Sequence, residues 1–419
     1  MQSQVRKPDR CLQPSPYFQS SQFPQSDTLA TESSCDVCVI GAGVSGLSVG
    51  YELASRGHRV IVIDGDELGR GETARSTAHL VTALDERYFV LEEQFGPTVT
   101  RAAAAAHACG IDWIEQTVAR HGIACGFRRV PGMLVVPRDR GSEAESLLAR
   151  EMAAAKRAGV ESECINACHA LVTCQSSALQ FPGQAQLQPV AFLAGLAKAI
   201  QHAGGLIVTN HLVTDILTDL SPMQCLAGGK RVQARHVVIA THSIPTALRP
   251  QLRKIRQFVS HVVTYALDPR AQRLEPSLLW DGYWDTDTPY HYVRIDDVDT
   301  GDANLQRIVV GGEDCEGECP RDEVGAYARL DRWTHEHFPF VGEPLHRWWG
   351  RIDEPDGEFA LIGGVPNSPG LYIVAGDSGN GMTYGAIAAR RIATMIEGLP
   401  TIETEDVIFD PATVAGAAR

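Results

Sequence analysis

The chain has 419 residues, enough for two domains or for one large domain with an insertion. Apolar residues make up 44% and charged residues 21%, an ordinary globular balance, and no apolar run reaches the length of a membrane span. The formal net charge of −14 argues against nucleic acid as a partner, because phosphate binding calls for basic patches.

Residues 1–34 are rich in Gln, Ser and Pro and lack an apolar signal core, so they read as a disordered leader. Asp36-Val-Cys-Val-Ile40 predicts a short strand, on which period-2 geometry would send the thiols of Cys35 and Cys38 to opposite faces. Gly41-x-Gly43-x-x-Gly46 follows, then a helical stretch from Leu47 to Arg56, a turn at Gly57, and a second strand, Val60–Ile63, ending at Asp64. In this strand–turn–helix–strand unit Gly41 permits the tight turn, Gly43 lets a diphosphate approach the backbone, and Gly46 lets helix and strand pack. The diphosphate would lie at a helix N-terminus, where free amides and the dipole favour an anion, and Asp64 would accept hydrogen bonds from a ribose. The motif alone does not choose between NAD and FAD; with no second copy of it, nothing points to a separate NAD(P)H site.

Glu72-Thr-Ala-Arg-Ser-Thr-Ala-His-Leu80 comes next. Helices are predicted over 98–121, 142–158, 188–202, 323–337 and 382–397, and a strand pair around Pro131-Gly132 over 128–137. Strands are predicted over 206–209, 211–217, 231–240, 259–267, 290–295, 307–310 and 371–375. Val374-Ala375 feeds a second glycine turn, Gly376-Asp-Ser-Gly-Asn-Gly381, before the last helix. Nucleotide-fold elements thus stand at the start, middle and end, and β-rich segments interrupt them twice. The class is α/β, with a discontinuous cofactor domain and a second, mostly antiparallel domain.

Eleven cysteines without a disulfide-like rhythm suit a reducing compartment, and a cytoplasmic location is expected. Cys164, Cys168, His169 and Cys174 lack a second ligand pair, and Cys315 and Cys319 lie in an acidic loop, so no metal site is predicted. Between Asp281 and Glu323 thirteen Asp or Glu stand against three Arg, a window suited to steering a cationic amine.

Three segments carry a resemblance: Asp36 to Asp64, Arg235-His-Val-Val-Ile-Ala-Thr-His242, and Gly370-Leu-Tyr-Ile-Val-Ala-Gly-Asp-Ser-Gly-Asn-Gly-Met-Thr383. Over about residues 35–400 the chain resembles the D-amino-acid oxidase/glycine oxidase (DAO) family of FAD-dependent oxidoreductases. It looks closest to a bacterial branch often fused to a Rieske domain, although no Cys-x-His…Cys-x-x-His pair occurs in this sequence. The resemblance implies a Rossmann-like FAD-binding domain from residues 35–110, 184–253 and 355–400, a substrate domain from 111–183 and 254–354, and a tail over 401–419. It also implies why two glycine turns are needed: the first helix would face the FAD diphosphate, and the last would face the pyrimidine end of the flavin ring.

By resemblance Gly41, Gly43, Gly46 and Asp64 hold the ADP half, Val213 and Thr241 lie beside the nucleotide, and Gly376, Asp377, Gly379, Asn380, Gly381 and Met382 face the ring. Ser76-Thr77-Ala78-His79 is similar to the Ser-Thr-Trp-His segment of dimethylglycine and sarcosine dehydrogenases, whose histidine bonds covalently to flavin. Ala78 in place of the Trp weighs toward a non-bonded His79 lining the flavin pocket. On the substrate side Tyr292 and Arg294 share one face of a strand with Tyr290, offering phenols and a guanidinium suited to a carboxylate, and Trp349 is a third candidate. No lysine follows Lys254, so lysine-assisted oxygen use from Arg307-Ile-Val-Val-Gly311 is excluded, leaving oxygen or another carrier as electron acceptor.

The resulting expectation is hydride transfer from the C–N carbon of a small amine or amino acid to flavin. A 2-hydroxy-acid or polyol dehydrogenase and a flavin-bound scaffold without turnover are the competing readings.

Overall fold

The computed structural model describes residues 15–18, 22–136, 141–167, 176–268, 282–298 and 305–413, and two sheets organise them. In the first, β1 (Glu32–Ile40), β2 (Val60–Ile63), β7 (Leu206–Val208), β10 (Lys230–Ile239) and β17 (Leu371–Ala375) pair in parallel in the order β17-β10-β1-β2-β7. An antiparallel β16 (Leu361–Gly364) flanks β17, and a hairpin of β8 (Val213–Leu217) and β9 (Met223–Ala227) attaches to β10. The apolar runs of β2 and β17 follow from burial on both faces. Val37 and Val39 face one core, shared with α1 (Val44–Ser55), α4 (Pro189–His202) and α6 (Gly381–Ile396). Cys38 and Ile40 face the other, shared with Met223, Cys225 and Ala227 of the hairpin.

Cys35 joins Cys38 and Cys225 in that second core, contrary to strict alternation. The amides of Asp36 and Val37 both reach the carbonyl of Arg59, at 2.9 and 3.2 Å, and this bulge turns Cys35 onto the same side. Cys168, His169 and Cys174 lie outside the described residues.

The second sheet runs β15 (Val341–Pro355), β11 (Ile255–Leu267), β14 (Leu305–Glu316), β13 (His291–Val298), β12 (Gly282–Asp285), β4 (Arg128–Val136), β6 (Ser176–Gln186) and β3 (His79–Leu80), with β5 (Glu163–Ala167) also on β6. Every pairing is antiparallel except β12 with β4. The Pro131-Gly132 pair therefore makes no turn: β4 is one strand with a bulge between Val130 and Gly132. β15 was not expected, because its His346-Arg-Trp-Trp-Gly-Arg-Ile-Asp353 run is too charged to read as a buried strand; it is an edge strand, where one side can stay polar. Helix α5 (Glu323–His337) buries Tyr327 and Leu330 against Tyr265, Ile308 and Val310. Helix α2 (Tyr88–His121), bent at Gly96-Pro97 where Gly96 has φ 82°, packs on α6; α3 (Gly141–Ala158) packs on α2 and on β5 and β6 of the second sheet, and α7 (Glu403–Ile408) packs on α2.

Within the segments read as a disordered leader (1–34) and a tail (401–419), residues 15–18, 22–34 and 401–413 are among those described, and several of them pack on the fold. Tyr17 and Leu29 are buried, the Asp27 amide bonds to the Ile207 carbonyl at 2.7 Å, and β1 begins at Glu32. Ile408 and Phe409 are buried against the main core. Apolar residues spaced singly among Gln and Ser leave no periodic signal, yet Tyr17 and Leu29 are buried.

Candidate active site

Between the two sheets opens one cleft of about 1550 Å³, and both glycine turns line it. At its first end β1 delivers Gly41 (φ 104°), where a Cβ would fall 2.3 Å from the carbonyl oxygen of Ala240; only glycine lets the parallel neighbour come so close. Gly46 lies beneath, its would-be Cβ 1.9 Å from the Gly41 carbonyl, so its role is packing of α1 on the turn and it does not line the cleft. The N-cap of α1 is Gly43, with no side-chain cap, and Gly43, Val44 and Ser45 face the cleft. The Val44 amide already meets Thr73 Oγ1 at 3.0 Å, a contact the spacing of the motif did not reveal. Asp64 accepts from the Ala42 amide at 2.6 Å and the Asp66 amide at 2.9 Å, and burial raises its pKa. Val213 and Thr241 also line this part.

The second turn closes the other end. Gly376 (φ 70°), Ser378 (φ 44°) and Gly379 (φ 82°) hold the backbone left-handed ahead of α6. Asn380, the N-cap residue of α6, does not cap it with its side chain; its Nδ2 donates instead to Asp85 Oδ2 at 2.9 Å. The α6 N-terminus at Gly381 and Met382 thus faces the cleft alongside Gly376, Asp377, Gly379 and Asn380.

Ser76, Thr77 and His79 form the wall between these ends. Ser76 Oγ accepts from the Ala78 amide at 3.0 Å and supports φ 53° at Ala78. His79 has both ring nitrogens engaged, Nδ1 with Thr77 Oγ1 at 3.1 Å and Nε2 with the Val293 carbonyl at 3.3 Å. Since a carbonyl only accepts, Nε2 carries the proton and Nδ1 accepts from the Thr77 hydroxyl. Burial, reinforced by Arg294, pushes the imidazole down to about 4, so it is neutral at pH 7.

The three substrate-side candidates separate. Tyr292 lines the cleft: its ring stands edge-on to His79 at 5.8 Å, and its hydroxyl meets Ser260 Oγ at 3.0 Å. Arg294 is a correction. Its guanidinium donates to the carbonyls of Ala78 at 3.2 Å and Leu187 at 3.0 Å, and pairs with Asp296 at 3.4 Å, so it braces the His79 loop from behind and offers nothing to a substrate carboxylate. Arg307 is likewise spent on Asp296, at 2.8 Å. Trp349 is the second correction: alternation along β15 buries Trp348 and turns Trp349 away from the cleft, over the Arg351 guanidinium at 5.8 Å.

Several lining residues escaped the sequence reading, because strands and loops far apart in the chain deliver them. Asp85 and Asp314 are each pushed up to about 7, chiefly by burial, with Glu354 adding to both. Glu354 itself pairs with Arg256 at 3.2 Å. His242 (φ 60°) sits 3.7 Å from Asp353; burial lowers its pKa, but Asp353, Glu72 and Asp377 together raise it above the ordinary histidine value.

A cleft floored by a parallel sheet, roofed by an antiparallel one, and closed at each end by an uncapped helix N-terminus defines a flavin-dependent oxidoreductase. A family model of DAO, FAD-dependent oxidoreductases, matches residues 36–395, and the chain belongs to that family. It is similar to gamma-glutamylputrescine oxidoreductase of Escherichia coli (strain K12), 26% identical over 395 residues, covering 92% of this chain and 89% of that protein. It is also similar to the Rieske 2Fe-2S iron-sulfur protein YhfW of Bacillus subtilis (strain 168), 27% identical over 230 residues; the match takes in 55% of this chain and 44% of that relative, so the chain spans under half of the relative's length. Among solved structures, glycine oxidase from Geobacillus kaustophilus superposes with a TM-score of 0.75 at 21% identity, over 90% of this chain and 98% of the other, a likeness of fold. Among the described residues no helix is long and apolar enough to cross a membrane.

The residues present fit FAD. The glycine turns would give it backbone to lie against, Asp64 stands at the end of β2, and the neutral His79 and the α6 N-terminus line the same cleft, where they would flank a flavin ring.

Proposed function

We propose that this chain oxidises a C–N bond of a small amine or amino acid to an imine, which water then hydrolyses to a carbonyl compound. The observation that carries the reading is the set of groups between His79 and Asn380: two phenols, a neutral imidazole, and two carboxyl groups poised near neutrality by burial. FAD bound in the cleft supplies the acceptor for the hydride that leaves the amine-bearing carbon. The chain's own work is to hold FAD with the glycine turns, exclude water with the sheet roof, and take a proton from the substrate ammonium. That proton must go before the nitrogen lone pair can form the C=N bond; a carboxylate with a pKa near 7 is matched to receive it. Asp314 and Asp85 are the acceptors assigned here, with Tyr292 as the wall that orients the substrate.

FAD is held without a covalent bond, because each nitrogen of His79 already has a partner and neither is free to attack the ring system. Acid precipitation checks this: all yellow colour stays in the supernatant, and colour retained in the pellet contradicts it. The electron acceptor is oxygen or a separate carrier, and the free thiols point to a cytoplasmic setting.

The reaction class is tested by anaerobic bleaching of the holoprotein with a panel of amines, amino acids and hydroxy acids. Bleaching by amines or amino acids is expected. Bleaching by hydroxy acids alone would move the chain to the alcohol-oxidising class, and no bleaching at all to a scaffold.

A further inference from the structure

The substrate end of the cleft has a charge and an aromatic content that an α-amino acid does not match. Facing it across β12, β13 and β14 are Trp284 and Tyr292, directly paired neighbours, and Gly311, over which the Tyr292 ring lies. Tyr290 stands beside Tyr292 with ring centroids 5.8 Å apart. Trp284 and both tyrosines line the cleft, an aromatic wall of the kind that attracts a cation. Against this wall stand Asp85, Asp314 and Glu354. Asp314 Oδ1 is buried and has no hydrogen-bond partner, as is Thr286 Oγ1 nearby on the lining. Of the guanidinium groups on the lining, Arg256 is paired with Glu354, and Arg87 acts on Asp85 more weakly than either Asn380 or Glu354. Arg294, the cation that would have met a carboxylate, lies behind the wall. Among the described residues, therefore, no cation forms an ion pair with Asp85 or Asp314 at the aromatic wall.

We propose that the site takes an amine whose chain carries a second cationic nitrogen, held by Asp314 and Asp85 against the Trp284–Tyr292–Tyr290 wall, and that it discriminates against substrates bearing a carboxylate at the reacting carbon. This rests on the amine-oxidising reading above. A second ammonium supplies the positive charge the wall and carboxylates lack; an α-carboxylate would be placed among like charges in a site of low dielectric, which is the stronger source of selectivity. The raised pKa values of Asp85 and Asp314 are the expected signature of carboxyl groups awaiting a cation.

The test uses purified holoprotein without oxygen. Half-saturating concentrations for flavin bleaching are compared for diaminobutane, aminobutane, aminobutanoate and glycine. Binding of bis(trimethylammonio)butane, which cannot form an imine, is followed through the flavin absorbance. Diaminobutane is expected to saturate at about a tenth of the aminobutane concentration or less, and the bis-quaternary dication to bind in a salt-sensitive manner. In Asp314→Asn, which also loses a proton acceptor and so bleaches more slowly with either amine, the advantage of the diamine over aminobutane in half-saturating concentration should shrink to within about threefold. Glycine saturating at or below the diamine concentration, or a diamine advantage that Asp314→Asn leaves intact, overturns the proposal. Should that variant not fold, dication binding by the unaltered protein decides: none at low salt overturns it. Bleaching by glycine but not by diamines sinks this inference alone, whereas bleaching by hydroxy acids alone sinks the amine-oxidising reading beneath it.

Discussion

Gly311 shows how one missing side chain shapes the site. It lies opposite Tyr292 across β13 and β14, and a Cβ there would come 2.1 Å from the phenol ring. Gly311→Ala must displace that ring from Ser260, and overpacking of this kind costs about 1–3 kcal/mol. We expect a lowered Tm together with weaker substrate saturation; an unchanged Tm and an unchanged half-saturating concentration would show that the ring does not rest there. Asp85 and Asp314 make a second residue-level prediction. Their folded pKa values, about 7, exceed the ordinary 3.8, so between those values the folded protein binds more protons than the unfolded one. Stability from these two groups is therefore fully present below the lower value and is lost as pH rises through 7. Thermal melts of the substrate-free protein should show this fall, and Asp314→Asn should flatten it. A melt independent of pH across that window would contradict the assignment.

Elements differ in how plainly the sequence announced them. The β1–α1–β2 unit and the β17–α6 unit were legible because each couples an apolar run to a glycine turn whose geometry admits few residues. The substrate roof was legible only in part: alternation placed Tyr292 and Arg294 on one face of β13, but it could not say that the Ala78 and Leu187 carbonyls would take the Arg294 guanidinium. Asp85 and Asp314 were invisible as a pair, since α6, a loop and β14 must meet before they do. The segment least legible was the N-terminal one. Ser15 Oγ bonds to the Ala74 carbonyl, the Tyr17 carbonyl accepts from Gln188 Nε2 at 3.1 Å, and the Tyr17 ring lies edge-on to Trp348 and beneath the Arg307 guanidinium at 4.9 Å. Trp348 in turn donates to the Arg75 carbonyl at 2.9 Å. This strap braces residues 74–79, which form the wall of the cleft, and so Tyr17 is a positioning residue for the cofactor. Tyr17→Ala removes a buried aromatic ring and should cost about 3 kcal/mol. It should also weaken FAD retention on dialysis, while Tyr17→Phe restores most of it. Equal retention in all three proteins would confine the strap to a structural role.

At the scale of the whole molecule, an acidic lining and two helix N-termini without side-chain caps meet in one cleft. The first turn and the α1 N-terminus would take the FAD diphosphate with no lysine on the lining, beside Asp64, Asp66 and Glu67, while Asp85, Asp314 and Glu354 line the substrate part of the cleft. Part of the acidic window predicted over Asp281 to Glu323 does face the cleft, through Asp285, Asp287, Asp314 and Glu318. The central claim is that the two glycine turns, one near each end of the chain, hold a single FAD between them. Fluorescence titration of apoprotein with FAD measures it directly. The account predicts saturation at one FAD per chain, with saturable binding lost on placing a side chain at Gly41, whose Cβ would strike the Ala240 carbonyl. Absence of saturable binding by the unaltered chain, or unaltered binding in Gly41→Val, would contradict it.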